Sequence, residues 1–80
     1  MSDIIIDYIV QELLAGRDSS INVDEDLLGS GLIDSMGIMR LIAFLENQFG
    51  TTIPPQDMTI ENFMTVSDIE QYLSRRLATV

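Results

Sequence analysis

Histidine, cysteine and lysine are absent from this 80-residue chain, and each absence closes off a branch of chemistry. Without histidine or lysine no side chain is suited to take a proton from an alcohol near neutral pH; without cysteine there is no thiol nucleophile, and the common soft metal ligands are missing. Disulfides are excluded as well, which leaves the redox compartment undetermined. Positive charge is scarce: four arginines stand against thirteen Asp and Glu, a net charge of −9. Such a surface repels nucleic acid phosphates and anionic lipid headgroups, so basic protein surfaces are the expected partners. Long apolar runs are missing too. Ile4 to Ile6 are cut short by Asp7, no stretch reaches membrane-spanning length, and Met1-Ser2-Asp3 lacks the positive charge of a signal peptide. These absences predict a soluble, cytoplasmic monomer with no membrane insertion.

What is present suffices for one packed unit. Hydrophobic residues make up 46% of the chain, and its length fits one domain over residues 1–80, with no room for a second core. From about Asp3 to Ala15, Ile6, Ile9, Val10 and Leu13 recur at helical spacing, with Gly16 as the stop. A long polar connection then runs from Arg17 to Asp34. Ile21, Val23, Leu27, Leu28, Leu32 and Ile33 punctuate it, which predicts a loop pinned to the core rather than a disordered one.

Ile38, Leu41, Ile42, Leu45 and Phe49 form a single inward stripe over about three turns, the strongest helical signal in the chain. Asp34 is placed to cap this second helix, Ser35 to open it and Gly50 to end it. After an extended Ile53-Pro54-Pro55 turn, Thr59 caps a short helix over Ile60 to Met64 with Ile60, Phe63 and Met64 inward. Ser67-Asp68-Ile69-Glu70 has the pattern of a capping box, and Ile69, Tyr72, Leu73 and Leu77 share one side of a last helix. The expected fold is all-α: four helices, a long first loop and a short third helix that depends on the others for stability.

Two candidate sites follow from residue chemistry. Ser35 as a catalytic nucleophile would need a neighbouring base, and an adjacent aspartate is a poor one for an alcohol, so no catalytic residue is assigned. By itself an Asp-Ser pair most simply starts a helix. Asp24, Glu25 and Asp26 suggest calcium, but against the EF-hand pattern Leu28 and Ser35 occupy ligand positions. A solvated acidic loop facing basic partners is the better reading, and no metal site is expected.

The run from Asp26 through Leu27-Leu28-Gly29-Ser30-Gly31-Leu32-Ile33-Asp34-Ser35-Met36 to Gly37 resembles the signature of the acyl and peptidyl carrier proteins. Leu41 to Gly50 followed by Ile53-Pro54 is similar to the carriers' second helix and its extended exit, and Val66 to Leu73 to their last helix. The resemblance spans essentially the whole chain. It implies an acyl-carrier-type four-helix bundle in which Ser35 receives a 4′-phosphopantetheine arm from coenzyme A through a separate phosphopantetheinyl transferase, with Asp34 assisting attachment by helping that enzyme hold Mg²⁺. Physics makes the site reasonable, since a helix start offers free N–H donors and a positive dipole end to a phosphate. The dipole contributes about 0.3–1 kcal/mol, close to the repulsion from Asp34 of about 0.7 kcal/mol at ~6 Å in water. A weakly held, swinging arm is the implied result.

Opposite the apolar stripe lie Met36, Arg40, Ala43 and Asn47, the expected partner-binding face. Fatty-acid-synthesis carriers generally display an acidic second helix, whereas here Arg40 is exposed and Glu46 at the edge is the helix's one carboxylate. The Asp-Ser-Met-Gly run looks instead like D-alanyl carriers and free-standing aminoacyl or aryl carriers loaded by adenylating ligases. The resemblance therefore implies a non-catalytic carrier of an acyl or aminoacyl thioester in a specialised secondary-metabolite or aminoacyl-transfer pathway, meeting a transferase, a ligase and an acyl-acceptor enzyme. The rival is an unmodified acidic helical interaction module. The identity of the cargo is not encoded, because the residues that discriminate among acids belong to the partner enzymes.

Overall fold

The computed structural model describes residues 1–14 and 21–78. The expected stop at Gly16, with Ala15 and the connection from Arg17 to Ser20, lies outside the described residues. In chain order the elements are α1 (Ser2–Tyr8), a π turn (Ile9–Leu13), α2 (Ser35–Phe49), a 3-10 turn (Pro55–Asp57), α3 (Ile60–Phe63) and α4 (Val66–Ala78). No strand occurs among the described residues, and no helix there is long and apolar enough to cross a membrane.

The α2 helix begins and ends where its local chemistry dictates. The Asp34 carboxylate accepts the Gly37 N–H at 2.7 Å, and Gly50 turns the chain out of the helix at φ 62°. Leu41, Ile42 and Leu45 are buried, while Ile38 and Phe49 are half-buried against the same core. Beyond the helix, Glu46 bends back and accepts the Ile53 N–H at 2.8 Å, tying the extended exit to α2. Glu46 is therefore half-buried and structurally engaged, not a feature of the open surface.

In the first helix the inward face differs from the predicted one. Ile5, Ile9, Val10 and Leu14 are buried, whereas Ile6 and Leu13 are only partly so. The π turn is the reason that the face ends on Leu14 and not on Leu13. Its wider ring, closed by the Leu14 N–H donating to Ile9 O at 2.8 Å, makes the residue after Ile9 on the same face come five positions later instead of four. The stripe accordingly runs Ile5, Ile9, Leu14.

The long loop is pinned as its apolar residues predict, with Ile21, Leu27 and Ile33 buried, Leu28 and Leu32 partly buried and Val23 exposed at the margin. Backbone bonds complete the anchoring: Leu27 N–H donates to Met64 O at 2.8 Å, Ile33 N–H to Leu27 O at 3.0 Å and Ser67 N–H to Val23 O at 2.9 Å. The loop thus uses carbonyls and amides at the α3–α4 junction that would otherwise lack helical partners.

The third helix is a single turn, shorter by one residue than expected, and only Phe63 faces inward. Ile60 is 64% exposed and Met64 37%, so two of its three predicted core residues belong to the surface. One turn presents one side to the core, and that place is taken by Phe63, whose ring packs against Tyr72 at 5.6 Å.

The last helix starts at Val66, with Thr65 Oγ1 accepting the Asp68 N–H at 3.0 Å. The Ser67–Glu70 box does not form. An equivalent pattern two residues earlier, Thr65 to Asp68, wins because it draws Val66 into the helix and buries it completely. Glu70, freed from that role, accepts hydrogen bonds from the Ser2 backbone N–H at 2.9 Å and from the Ser2 hydroxyl, joining α1 to α4. The hydroxyl bond is the main reason its carboxyl sits below the ordinary glutamate value.

On α4, Ile69, Tyr72 and Leu73 are buried and Leu77 half-buried. Burial, reinforced by donation of its hydroxyl to Asp57 at 2.6 Å, pushes Tyr72 up to about 12. A raised tyrosine pKa means that the folded state holds the proton more tightly than the unfolded chain does. This contribution is complete below the ordinary tyrosine value of 10 and is lost as pH rises to about 12. Urea unfolding across that window should show a falling midpoint, with a shallower fall in Tyr72→Phe.

Candidate functional site

Ser35 is exposed at the first position of α2, and its hydroxyl takes no hydrogen bond from the described residues. An oxygen sealed in the interior would have ruled out attachment; the fold instead holds it at the surface. Two local features place it there. Asp34 is extended at φ −94°, ψ −177°, so the chain enters the helix with the serine outermost, and the first backbone amides point past it. Asp34 Oδ1 is occupied by Gly37 N–H, while the N–H groups of Ser35 and Met36 have no acceptor among the described residues. Two donors and the positive helix end are therefore left without a partner among the described residues at the helix start that carries Ser35, a local chemistry that suits an anionic group such as a phosphodiester.

Gly37 completes the Asp-Ser-Met-Gly run for a steric reason. A Cβ built there would lie 2.3 Å from Ile33 Cγ2, where Ile33 is buried in the core. Gly37→Ala should therefore displace either the loop or the helix start and cost about 1–3 kcal/mol in chemical denaturation. Weakened Asp34–Gly37 capping should show as altered amide resonances over residues 34–38.

The acidic loop is built as a turn. Asp26 Oδ1 accepts the Gly29 N–H at 2.8 Å, and a Cβ on Gly29 would collide with the same carboxylate at 2.1 Å. Asp24 N–H donates to Asn22 Oδ1 at 2.9 Å. Gly31, at φ 80°, then reverses the chain toward Ile33. Among the described residues no group of three or more acidic side chains could hold a metal ion.

Around Ser35 the structure brings together residues of different standing in the sequence. Met36, Arg40, Ala43 and Asn47 are all exposed on α2, as the helical period predicts, with Met36 at 76%. Met39, 57% exposed, joins that face because it is nearly in line with Ser35. On the opposite flank a cleft of about 210 Å³ opens beside Ser35, walled by Leu28, Ile38, Ile42, Met58 and Phe63. Sequence periodicity marked Ile38, Ile42 and Phe63 as core. Periodicity gives no signal for Met58, which arrives through the 3-10 turn, and marks Leu28 only as a loop anchor. Behind α2, Tyr8 stacks on Phe44 with ring centroids 4.0 Å apart, and the Tyr8 hydroxyl donates to Arg40 O at 3.4 Å, holding the helix against α1.

Comparison with known proteins gives a consistent picture. A family profile described as a phosphopantetheine attachment site matches residues 5–73. A D-alanyl carrier protein of Streptococcus suis (strain 98HAH33) is 43% identical over 61 residues, 76% of this chain and 76% of that protein. D-alanyl carrier protein 2 of Lactiplantibacillus plantarum is 36% identical over 61 residues, 76% of this chain and 75% of that one. Among solved structures, a chain from one described as the crystal structure of an FAD-dependent dehydrogenase superposes with a TM-score of 0.79 at 27% identity, covering 88% of this chain and 99% of that chain.

Proposed function

Because the chain belongs to the phosphopantetheine carrier family, whose members hold 4′-phosphopantetheine covalently on a serine, we propose that Ser35 is that serine and that D-alanine or a related small amino acid is the cargo. The observation that carries the site is the exposed, unbonded Ser35 hydroxyl at the start of α2, beside two amides without acceptors. When attached, the arm supplies a terminal thiol on which acyl or aminoacyl groups ride as thioesters. The residues of this chain orient that thiol and present it; the chemistry of loading and discharge falls to partner enzymes. Asp34 serves twice in this reading. Oδ1 fixes the helix start, and Oδ2, which takes no hydrogen bond from the described residues, is available to a Mg²⁺ held by the transferase.

Met36, Arg40, Ala43 and Asn47 form the face that meets the phosphopantetheinyl transferase, an adenylating ligase and an acyl-acceptor enzyme. The cargo assignment rests on the D-alanyl carrier relatives. Its test is loading of the modified protein with D-alanine, ATP and a D-alanine-activating ligase. Intact mass should rise by one D-alanyl group, and hydroxylamine should remove it. Preferential loading with long fatty acids instead would overturn the cargo assignment.

A second partner class is favoured by the solved chain. The aligned part, 88% of 80 residues or about 70, makes up 99% of that chain, so the matched chain is carrier-sized. A flavin-dependent dehydrogenase acting on the tethered group is then a further partner. Incubation of loaded protein with such an enzyme should lower the cargo mass by one pair of hydrogens.

A further inference from the structure

The face around Ser35 carries a cation, Arg40, on a chain whose net charge is −9. Its groove of about 390 Å³ is formed by Ser35, Met36, Met39, Ala43 and Arg40, and a second groove of about 380 Å³ on the other side of Met36 is also bounded by Arg40. Met36 therefore stands as an apolar ridge between two grooves that share one guanidinium. Neither nearby carboxylate forms an ion pair with that guanidinium. Asp34 lies across the second groove and is engaged with Gly37, and Glu46 is engaged with Ile53. Arg40 forms no ion pair among the described residues.

An enzyme that brings its reacting centre onto Ser35 must cover Arg40 as well. Five residues along a helix is about 7.5 Å, well inside the roughly 800 Å² that one partner contributes to an ordinary interface. A guanidinium covered without a counter-ion is expensive, whereas a carboxylate paired with it fixes register. The net charge of −9 steers distant encounter toward basic surfaces; the contact itself has the reverse requirement.

Resting on the assignment of Ser35 as the attachment residue, we propose that the phosphopantetheinyl transferase acting on this chain receives Met36 in an apolar socket edged by a carboxylate that pairs with Arg40. Arg40 is thus a specificity residue for docking, and its loss weakens binding without slowing the chemical step.

The test follows arm transfer from coenzyme A to the purified apo-protein by a broad-range phosphopantetheinyl transferase. Arg40→Glu should raise KM at least about tenfold, the effect of a close charge pair reversed, while kcat stays within about twofold. Arg40→Lys should retain most of the affinity, and Arg75→Glu, on the exposed side of α4, should behave as wild type. Reversing the transferase's rim carboxylates to Arg in turn should yield one enzyme that restores Arg40→Glu. Unchanged thermal unfolding of the variants separates docking from folding. A KM for Arg40→Glu equal to or below wild type overturns the docking proposal alone. Failure of the wild-type protein to accept the arm overturns the Ser35 assignment and the proposal with it.

Discussion

Leu45→Ala is expected to remove about 2–5 kcal/mol of stability, enough to leave a domain of this size marginal, since small domains have about 5–15 kcal/mol in all. Leu45 is fully buried in the C-terminal half of α2, in the same cluster as Ile5, Ile9, Leu41, Ile69 and Leu73. That cluster joins α1, α2 and α4, so a cavity there loosens every contact that holds the helix carrying Ser35. The surrounding side chains come from separate elements anchored by their own bonds, such as Ile53 N–H to Glu46, and have little freedom to collapse into the space. Equilibrium urea unfolding measures the loss. A change below about 1 kcal/mol would mean that α2 is not the centre of the core.

Ser35→Ala has the opposite profile: complete loss of arm attachment with stability unchanged to within about 0.5 kcal/mol. The hydroxyl is exposed and bonded to none of the described residues, so removing it leaves packing and capping intact. Asp34→Asn divides the roles of its neighbour. An asparagine oxygen can still accept the Gly37 N–H, so the cap persists with little loss of stability, while the charge offered to the transferase's Mg²⁺ disappears. Attachment should slow with the unfolding midpoint nearly constant. A variant that unfolds but is modified at the wild-type rate would reduce Asp34 to its capping role.

The helix that carries the site could be read before any coordinates because its determinants are local. Asp34, the Ile38–Leu41–Ile42–Leu45–Phe49 stripe and Gly50 act within a few residues of one another, and the structure places each where its chemistry predicts. Departures occur where distant residues decide. In the first helix the dense Ile4-Ile5-Ile6 run does not mark which residue faces inward, and Ile5 is buried instead of Ile6, while a π turn moves the end of the buried face from Leu13 to Leu14. Ile60 and Met64 read as core by spacing, yet one helical turn can offer the core only Phe63. At α4 two capping patterns compete, and burial of Val66 selects Thr65. The wall that Met58 adds to the cleft beside Ser35 exists only once the 3-10 turn has folded against α2. The helix start that exposes Ser35 is therefore legible in the sequence, and the cleft beside it is not.

Mass spectrometry of the wild-type protein after incubation with coenzyme A, Mg²⁺ and a broad-range transferase is the most direct measurement. One phosphopantetheine should be added per chain, and fragmentation should locate it on Ser35, in the segment from Ile33 to Arg40. An unchanged mass, or an arm found on any other serine, would contradict the account.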